Sequence, residues 1–133
     1  MIRLFTLLLF ILPLSGRPTP ALGPIDDAAE LIKTGNVHEL AKKFASSIEL
    51  TILNEENIYS ANQAELVLGS FFKNNPVKAV KILHRVNSNP NIRYAVLLLT
   101  TANAEYRTAV SMKLTNGVFL VNEIKIESDK KEE

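Results

Sequence analysis

The sequence contains no cysteine among its 133 residues. This absence excludes disulfides, thiol-dependent catalysis, thiolate metal sites and lipid attachment through an N-terminal cysteine. Histidine is also scarce, because only His38 and His84 are present and they lie far apart in the chain. Since zinc sites in proteins combine several cysteine, histidine or carboxylate ligands, we expect no metal site and no other cofactor.

The sequence also lacks the short motifs that mark common enzyme classes. It has no Gly-x-Ser-x-Gly nucleophile elbow, no phosphate-binding glycine loop and no dinucleotide-binding fingerprint. Neither sign of charge dominates, because 15 basic and 14 acidic residues give a net charge of +1. If Arg3 and Arg17 are removed with a leader, 13 basic residues remain against 14 acidic ones, or −1. We therefore expect no binding of nucleic acid and no general attraction to anionic membranes.

The first residues have the composition of an export signal. Arg3 precedes the apolar run Leu4–Leu14, whose 11 residues would span about 16 Å as a helix, roughly half of a bilayer core. We predict a signal peptide over residues 1–21, with cleavage after Ala21 or Gly16. The mature protein would be periplasmic or secreted, without stable membrane insertion. An uncleaved membrane anchor is the alternative.

The rest of the chain predicts one domain over residues 25–127, between a linker at residues 22–24 and a charged tail at residues 128–133. Its first half is mainly helical. A first helix covers Ile25–Thr34 and is terminated by Gly35, and a third is capped by Ser60, which opens a Ser-x-x-Gln capping box. A second helix lies between them, and two short strands separate it from the third. Its predicted apolar stripe consists of Val37, Leu40, Ala41 and Phe44.

The second half predicts four consecutive antiparallel strands between Val77 and Glu127. Asn87–Asn91 is rich in turn formers, and Asn116-Gly117 is the strongest hairpin signal in the chain, typical of a type I′ turn. The strand Ile92–Thr101 is apolar on both faces. We therefore expect helices on one face of this strand and further cover on the other.

This order of elements resembles the nuclear transport factor 2-like superfamily, also called cystatin-like α+β. The phrases Gly35–Phe44 (GNVHELAKKF), Ile48–Leu53 (IELTIL), Lys81–His84 (KILH) and the helix at Tyr59–Phe72 are similar to a family of small exported bacterial proteins of unknown function within it. The resemblance implies N-terminal helices packed on a curved, mainly antiparallel sheet that forms a cone. It implies no activity, because the fold hosts isomerases, dehydratases, transport adaptors and plain binding domains.

Four polar side chains fall on the apolar strand faces by simple alternation, and they could line a ligand-binding pocket. They are His84, Tyr94, Tyr106 and Asn122. The resemblance implies that a histidine projecting into the cone can do acid–base chemistry, so His84 is a catalytic candidate. The alternatives are a core histidine with one hydrogen bond, an Asn122 amide bonded to backbone at a bulge, and a packed core with solvated tyrosine hydroxyls.

The opposite strand face mixes apolar and charged side chains. They are Leu83, Leu97, Leu99, Glu105, Arg107, Lys113, Phe119, Val121, Glu123 and Lys125. The strand carboxylates all fall on this face, so the paired acids of the superfamily's isomerases are missing. Superfamily members dimerise through faces of this kind, and the resemblance therefore implies a homodimer. The alternative is a face partly covered by the helices.

These observations favour an exported, non-catalytic domain that binds a small apolar ligand or a protein partner. The alternative is a small isomerase- or dehydratase-like enzyme that uses His84 in the cone pocket, together with Tyr94 or Tyr106. A third possibility is an envelope protein with a purely structural role. An open pocket that contains His84 would favour the enzyme, and a filled cone would favour the binding domain.

Overall fold

The computed structural model describes residues 23–129 and shows three helices and a six-stranded mixed sheet. The elements are α1 (Pro24–Lys33), α2 (Val37–Ala41), β1 (Phe44–Ile52), β2 (Glu55–Ser60), α3 (Ala61–Asn74), β3 (Val77–Val86), β4 (Ile92–Thr101), β5 (Glu105–Thr115) and β6 (Val118–Ser128). The predicted α+β class, with helices followed by a curved sheet, is confirmed.

Local capping explains where the helices begin. Gly23 is the N-cap of α1, and its backbone N–H donates to Oδ2 of Asp26 over 3.2 Å. Pro24, which the sequence assigns to the linker, is therefore the first residue of the helix, where a missing N–H costs nothing. Ser60 and Gln63 form the predicted capping box at α3, with reciprocal contacts of 3.3 and 3.4 Å.

Helix α2 is shorter than its apolar stripe predicts. It ends at Ala41, and Phe44 begins β1 instead of closing a second helical turn. The backbone N–H of Val121 donates to the carbonyl oxygen of Lys43 over 2.7 Å. This hydrogen bond draws the chain into the sheet before the helix can continue, and the Phe44 side chain is buried from the strand.

The strand order is β2-β1-β6-β5-β4-β3. Strand β1 pairs in parallel with β6, and all other neighbours are antiparallel, so the sheet is mainly antiparallel as predicted. The β5–β6 connection is the predicted two-residue turn. Its residues Asn116 and Gly117 have φ angles of 50° and 81°, and a positive φ at both central positions is the signature of a type I′ turn.

The sheet has two unlike faces, which we call the helix face and the open face. On the helix face, α1 packs on β3 and β4, and α3 packs on β1 and β2. Side chains from both layers fill the space between them. The largest fully buried ones are Ile32, Leu40, Ile48, Leu50, Leu68, Leu97, Leu99, Met112, Ile124 and Ile126. The open face carries no helix or strand from within residues 23–129.

Strand β4 shows the difference most clearly. Ala95, Leu97 and Leu99 are fully buried on the helix face, whereas Tyr94, Val96 and Leu98 on the open face are half-buried. The helices expected on one face are present. The cover expected on the other face is not found among residues 23–129.

Two regions of the sequence fall partly or wholly outside the described residues. The predicted signal peptide lies outside them, as do residues 130–133 of the predicted tail. Ser128, which was assigned to that tail, is the last residue of β6. In the part of the chain that the structure describes, no helix is long and apolar enough to cross a membrane.

Candidate binding surface

His84 does not lie inside the domain. The pairing of β3 with β4 slips by one residue between Ile82 and His84, so that Leu83 is the extra residue of a bulge. Beyond the bulge, His84 pairs with Val96 on the open face and is exposed. Its predicted position within the cone is therefore wrong, because the bulge shifts the alternation by one residue.

The same bulge turns Arg85 toward the helices. Arg85 pairs with the buried Ala95 of β4, and its guanidinium forms a bidentate ion pair with the carboxylate of Asp26 on α1. One contact joins Nη1 to Oδ2 at 2.9 Å, and the second joins Nη2 to Oδ1. The hydrogen bond from Arg85 holds the pKa of the Asp26 carboxyl below its usual value. This pair ties the first helix to the bulged end of β3.

Tyr106 lies on the helix face and has a structural contact. Its ring packs edge-on against Phe71 of α3, with ring centroids 5.3 Å apart. Its hydroxyl donates to Oδ1 of Asn75 over 3.2 Å, and the amide of Asn75 donates to the carbonyl oxygen of Phe71. Tyr106 thus helps to fasten the end of α3 to β5.

Asn122 is the extra residue of a second bulge, in β6. The register between β5 and β6 shifts there, because Met112 pairs with Val121 while the preceding Ser111 pairs with Glu123. The amide oxygen Oδ1 of Asn122 is buried and has no hydrogen-bond partner among the described residues. The bulge was foreseen as an alternative, but the backbone hydrogen bond expected with it is not formed.

The four predicted site residues therefore do not form one pocket. His84 and Tyr94 share the open face, Tyr106 lies on the helix face, and Asn122 occupies a bulge. Among the five grooves described, the two largest have volumes of about 740 and 580 Å³, and none of the five is lined by His84. Whether any of the four binds a ligand stays a prediction.

The candidate interface also needs correction. Leu97, Leu99 and Val121 are fully buried on the helix face, and Phe119 packs against the same core. Leu97, Leu99 and Val121 are therefore unavailable to a partner, whereas Phe119 is half-buried. The charged members of the predicted set do lie on the open face, as their pairing shows: Glu105, Arg107, Lys113, Glu123 and Lys125.

Sequence alternation missed the apolar part of the open face. It is a cluster of neighbouring side chains from three strands that we call the apolar band. The band consists of Val86, Tyr94, Val96, Leu98 and Ala109. Val86 is 37% exposed, and the other four are half-buried by their neighbours on the sheet.

Charges of both signs lie around the apolar band. On edge strand β3, Lys78 and Lys81 are exposed, and we call them the basic edge. Across the band, Glu49, Glu56 and Glu123 lie on β1, β2 and β6, and we call them the acidic side, with Lys125 beside them on β6. A hydrogen bond with Glu56, together with the charge of Glu123, raises the pKa of the Glu49 carboxyl.

The described residues contain no cluster of potential metal ligands. Within residues 23–129, no group of three or more histidine, aspartate or glutamate side chains could hold a metal ion. The two polar residues that are almost fully buried as a whole are Thr101 and Thr108. Thr101 bonds to the turn that follows it, through a 2.8 Å contact with the carbonyl oxygen of Ala104. The arrangement is that of a packed domain with one uncovered sheet face.

This architecture is that of a nuclear transport factor 2-like, cystatin-like α+β domain. A domain of unknown function with a cystatin-like fold from Nostoc punctiforme matches with a TM-score of 0.60 at 7% identity, over 83% of this chain and 81% of that one. The family follows from a match of the sequence itself. The model of the DUF4783 family, described as a domain of unknown function, matches residues 25–127. The chain belongs to this family.

Solved DUF4783 proteins agree with this assignment. A family member from Bacteroides uniformis has a TM-score of 0.78 at 21% identity, covering 82% of this chain and 100% of that one. A second, from Bacteroides fragilis, has a TM-score of 0.71 at 26% identity, covering 75% and 93%. No curated protein sequence matches the chain.

Proposed function

We propose that this protein is an exported, non-catalytic domain that binds a protein partner through the open face of its sheet. The observation that carries the proposal is the contrast between the two faces. Apolar side chains fill the helix face, whereas the open face presents the apolar band without cover from residues 23–129. Binding surfaces commonly have this composition, an apolar centre within a charged rim.

The size of the open face suits a protein better than a small molecule. Four strands of about ten residues, at spacings of about 4.8 Å between strands and 3.3 Å between residues, cover roughly 600 Å². A standard protein interface buries about 800 Å² of each partner, so the face is of the right order. The space between the helices and the sheet, which could have supplied a cone pocket for a small apolar ligand, is filled by buried side chains.

The enzyme alternative has lost its main support. It required His84 inside the cone, and His84 lies outside on the exposed end of β3. Nearby charged side chains on the open face, such as Lys81, are separated from it by the Leu83 bulge. A general base must be held within reach of a bound substrate, and the surroundings of His84 do not form such a pocket.

Export is supported by the apolar run that follows Arg3. Sequencing of the N-terminus of protein recovered outside the cytoplasm tests it. A mature chain that begins at Leu22 or Arg17 is expected, according to which cleavage site is used. A mature chain that begins at Met1 would contradict export by cleavage.

The binding proposal is tested by native mass spectrometry of the protein purified gently from its own cells. The wild-type protein should carry a second polypeptide chain, and Leu98→Lys should lose it, because a charge is placed in the middle of the apolar band. Leu66→Lys is the matched control, since Leu66 lies on α3 and is 73% exposed. A wild-type protein found as a bare single chain, or one carrying a small molecule instead, would refute the proposal.

A further inference from the structure

We propose that the free edge of strand β2 is a second binding site, at which an extended peptide segment of alternating basic and apolar residues adds to the sheet as a further strand. The inference goes beyond the proposed function, because it concerns an edge of the sheet and not the apolar band. In strand addition, main-chain hydrogen bonds supply the affinity, and pockets for alternate side chains supply the specificity.

The two edges of the sheet differ in how they are protected. The sheet ends in β2 on one side and in β3 on the other. Strand β3 carries Lys78 and Lys81 and has two register shifts, and lysines and bulges are devices that keep edge strands from pairing further. Strand β2 pairs with β1 through all of its residues, Glu55–Ser60, without a shift, and it contains no lysine or proline. Its shortness and its acidic residues limit what can pair with it.

The hydrogen-bond pattern shows which backbone groups of β2 are free. Leu53 donates its N–H to the carbonyl oxygen of Ile126 on β6 over 2.8 Å, so Leu53 and every second residue before it direct their backbone groups to β6. The intervening residues of β1 bond to β2, where their partners are Glu55 and every second residue after it. Glu56 and Ile58 therefore point their N–H and C=O groups outward, and no backbone hydrogen bond from residues 23–129 reaches them.

Ser60 confirms this alternation and closes the free edge. Its N–H belongs to the same outward set, and it is used by the capping box of α3, in which it donates to Oε1 of Gln63 over 3.4 Å. Ile58 pairs with Glu49, which places the Ile58 side chain on the open face, where it is 74% exposed. A strand added to this edge would lie beside that side chain and cover part of it.

A groove on the helix face lies beside the same edge. Glu55 and Tyr59 of β2 form one wall and Val67 and Phe71 of α3 form the other, around a volume of about 240 Å³. Tyr59, Val67 and Phe71 are half-buried. Because side chains alternate between the two faces of a strand, every second side chain of an added strand would point toward this groove. The groove thus favours apolar residues at those positions.

The open-face side of the edge is acidic. Glu56 hydrogen-bonds to Glu49, and Glu49 faces Glu123 across the β1–β6 pairing. Lys125 lies on β6 beside this acidic side, but its ammonium nitrogen is 3.2 Å from Oε1 of Glu127. Four carboxylates therefore share one lysine. A basic side chain on an added strand beside Glu56 would supply positive charge that this region has too little of.

The other cations of the open face lie farther from this edge. Arg107 and Lys113 are on β5, which β6 and β1 separate from β2, and Nε of Arg107 is 3.6 Å from Oδ1 of Asp129. The acidic side also disfavours a second β2 edge as the added strand, because the glutamates of the two copies would face each other. The charges therefore select a basic segment of another protein.

An NMR titration of the purified protein with synthetic peptides tests the inference. The probe is a capped heptapeptide of alternating lysine and valine. We expect it to slow amide exchange at Glu56 and Ile58 and to shift the resonances of β2 and α3, while those of β3 stay unchanged. Peptides of alternating glutamate and valine, or of alternating lysine and serine, should bind about tenfold more weakly, because they lack the charge or the apolar side chains.

Two substitutions at one position separate the backbone from the side chain. Ile58→Pro removes the outward N–H, and proline is tolerated in edge strands where the N–H faces solvent. It should weaken binding of the lysine–valine peptide about fivefold or more. Ile58→Val keeps the N–H and is the matched control, with an affinity within about twofold of the wild type. Glu56→Lys should reverse the preference, so that the glutamate–valine peptide binds more tightly than the lysine–valine peptide.

Three results would overturn the inference: no binding of the lysine–valine peptide at millimolar concentration, binding without slower exchange at Glu56 and Ile58, and equal binding by Ile58→Pro and Ile58→Val. If Ile58→Pro does not fold, as judged by circular dichroism, wild-type protein is titrated with lysine–valine peptides N-methylated only at the lysines or only at the valines. One set of peptide amides faces β2 and the other faces solvent. One peptide should therefore lose binding and the other keep it, and equal affinities would contradict strand addition.

The inference and the proposed function can fail separately. Leu98 lies on β4, which three strands separate from β2, so Leu98→Lys should bind the lysine–valine peptide as the wild type does. Loss of peptide binding in Leu98→Lys would place the peptide on the apolar band and refute the edge site. Failure of the peptide to bind the wild type refutes the edge site alone, because the native complex and its release by Leu98→Lys are measured without the peptide.

Discussion

At the scale of single residues, the bulges at Leu83 and Asn122 decide where the predicted site residues lie on the sheet. Leu83 shifts β3 by one position, which sends His84 to the open face and Arg85 to the helix face. Asn122 does the same in β6, so that Val121 and Ile124 are both buried although they are three residues apart. Because side chains alternate with a period of two, one inserted residue exchanges the faces of all that follow.

The Arg85–Asp26 pair leads to a pH-dependent prediction. Arg85→Ala should lower the free energy of unfolding at pH 7 by about 1 kcal/mol, the upper end for a partly exposed ion pair. The folded-state pKa of Asp26 is depressed, so its contribution is present above the unfolded-state pKa and is lost as the pH falls through the folded-state value. The difference between the wild type and Arg85→Ala should therefore shrink below about pH 4.

Urea denaturation of both proteins at several pH values measures this difference. Lys81→Ala, on the same strand but without an ion-pair partner among residues 23–129, is the control and should change stability little in the monomer. An Arg85→Ala difference that stays constant from pH 7 to pH 3 would show that the guanidinium acts through packing and not through the carboxylate.

At the scale of elements, the β5–β6 hairpin and helix α3 provide a matched pair of glycines. Gly117 has a φ of 81°, whereas Gly69 lies within α3, and a Cβ atom at either position would meet nothing within 4 Å. Gly117→Ala should therefore destabilise the protein by about 1 kcal/mol through backbone strain alone. Gly69→Ala should stabilise it by up to about 1 kcal/mol through helix propensity.

Thermal unfolding followed by circular dichroism compares the two variants directly. Opposite shifts of the melting temperature are expected from the same added methyl group. Equal shifts in one direction would contradict the backbone explanation. Gly117→Asn is a further control, because asparagine tolerates positive φ better than alanine does and should recover part of the lost stability.

Elements with strong local signals could be predicted from the sequence. The bounds of β4 match the prediction, and the Ser60 capping box and the Asn116-Gly117 turn form as expected. Each depends on residues close in the chain, where caps and turns have their own chemistry. The end of α2 could not be predicted, because a hydrogen bond from distant Val121 decides it.

The candidate site was harder to predict than the fold for the same reason. The Leu83 bulge has no local sequence signal, since leucine is an ordinary strand residue, whereas the polar Asn122 on an apolar strand face did indicate a bulge as one alternative. Assignment of His84 and Asn122 to one face assumed uninterrupted alternation. The sequence did contain one indication of an uncovered apolar face. The strand Ile92–Thr101 is apolar on both faces, whereas the predicted helices suffice to cover only one of them. That excess apolar surface is the apolar band.

At the scale of the whole molecule, helices cover one face of the sheet, whereas no helix or strand from residues 23–129 covers the other face. The parallel pairing of β1 with β6 joins the first and last strands in chain order at the middle of the sheet. The helices cover the face beneath them. The opposite face combines an apolar centre with charged side chains of both signs around it. This asymmetry, and not any single residue, is what the proposed binding function explains.

The most direct measurement of this claim uses the absence of cysteine, because any introduced thiol is the only one in the chain. Val96→Cys places it in the apolar band, and Leu66→Cys places it on the exposed face of α3. The rate of alkylation is measured in the native extract and again after purification and dilution below the dissociation constant. The account predicts that the thiol at position 96 reacts much more slowly in the extract than after dilution, while the thiol at position 66 reacts equally in both. Equal rates at position 96 in the two conditions would contradict a partner on the open face.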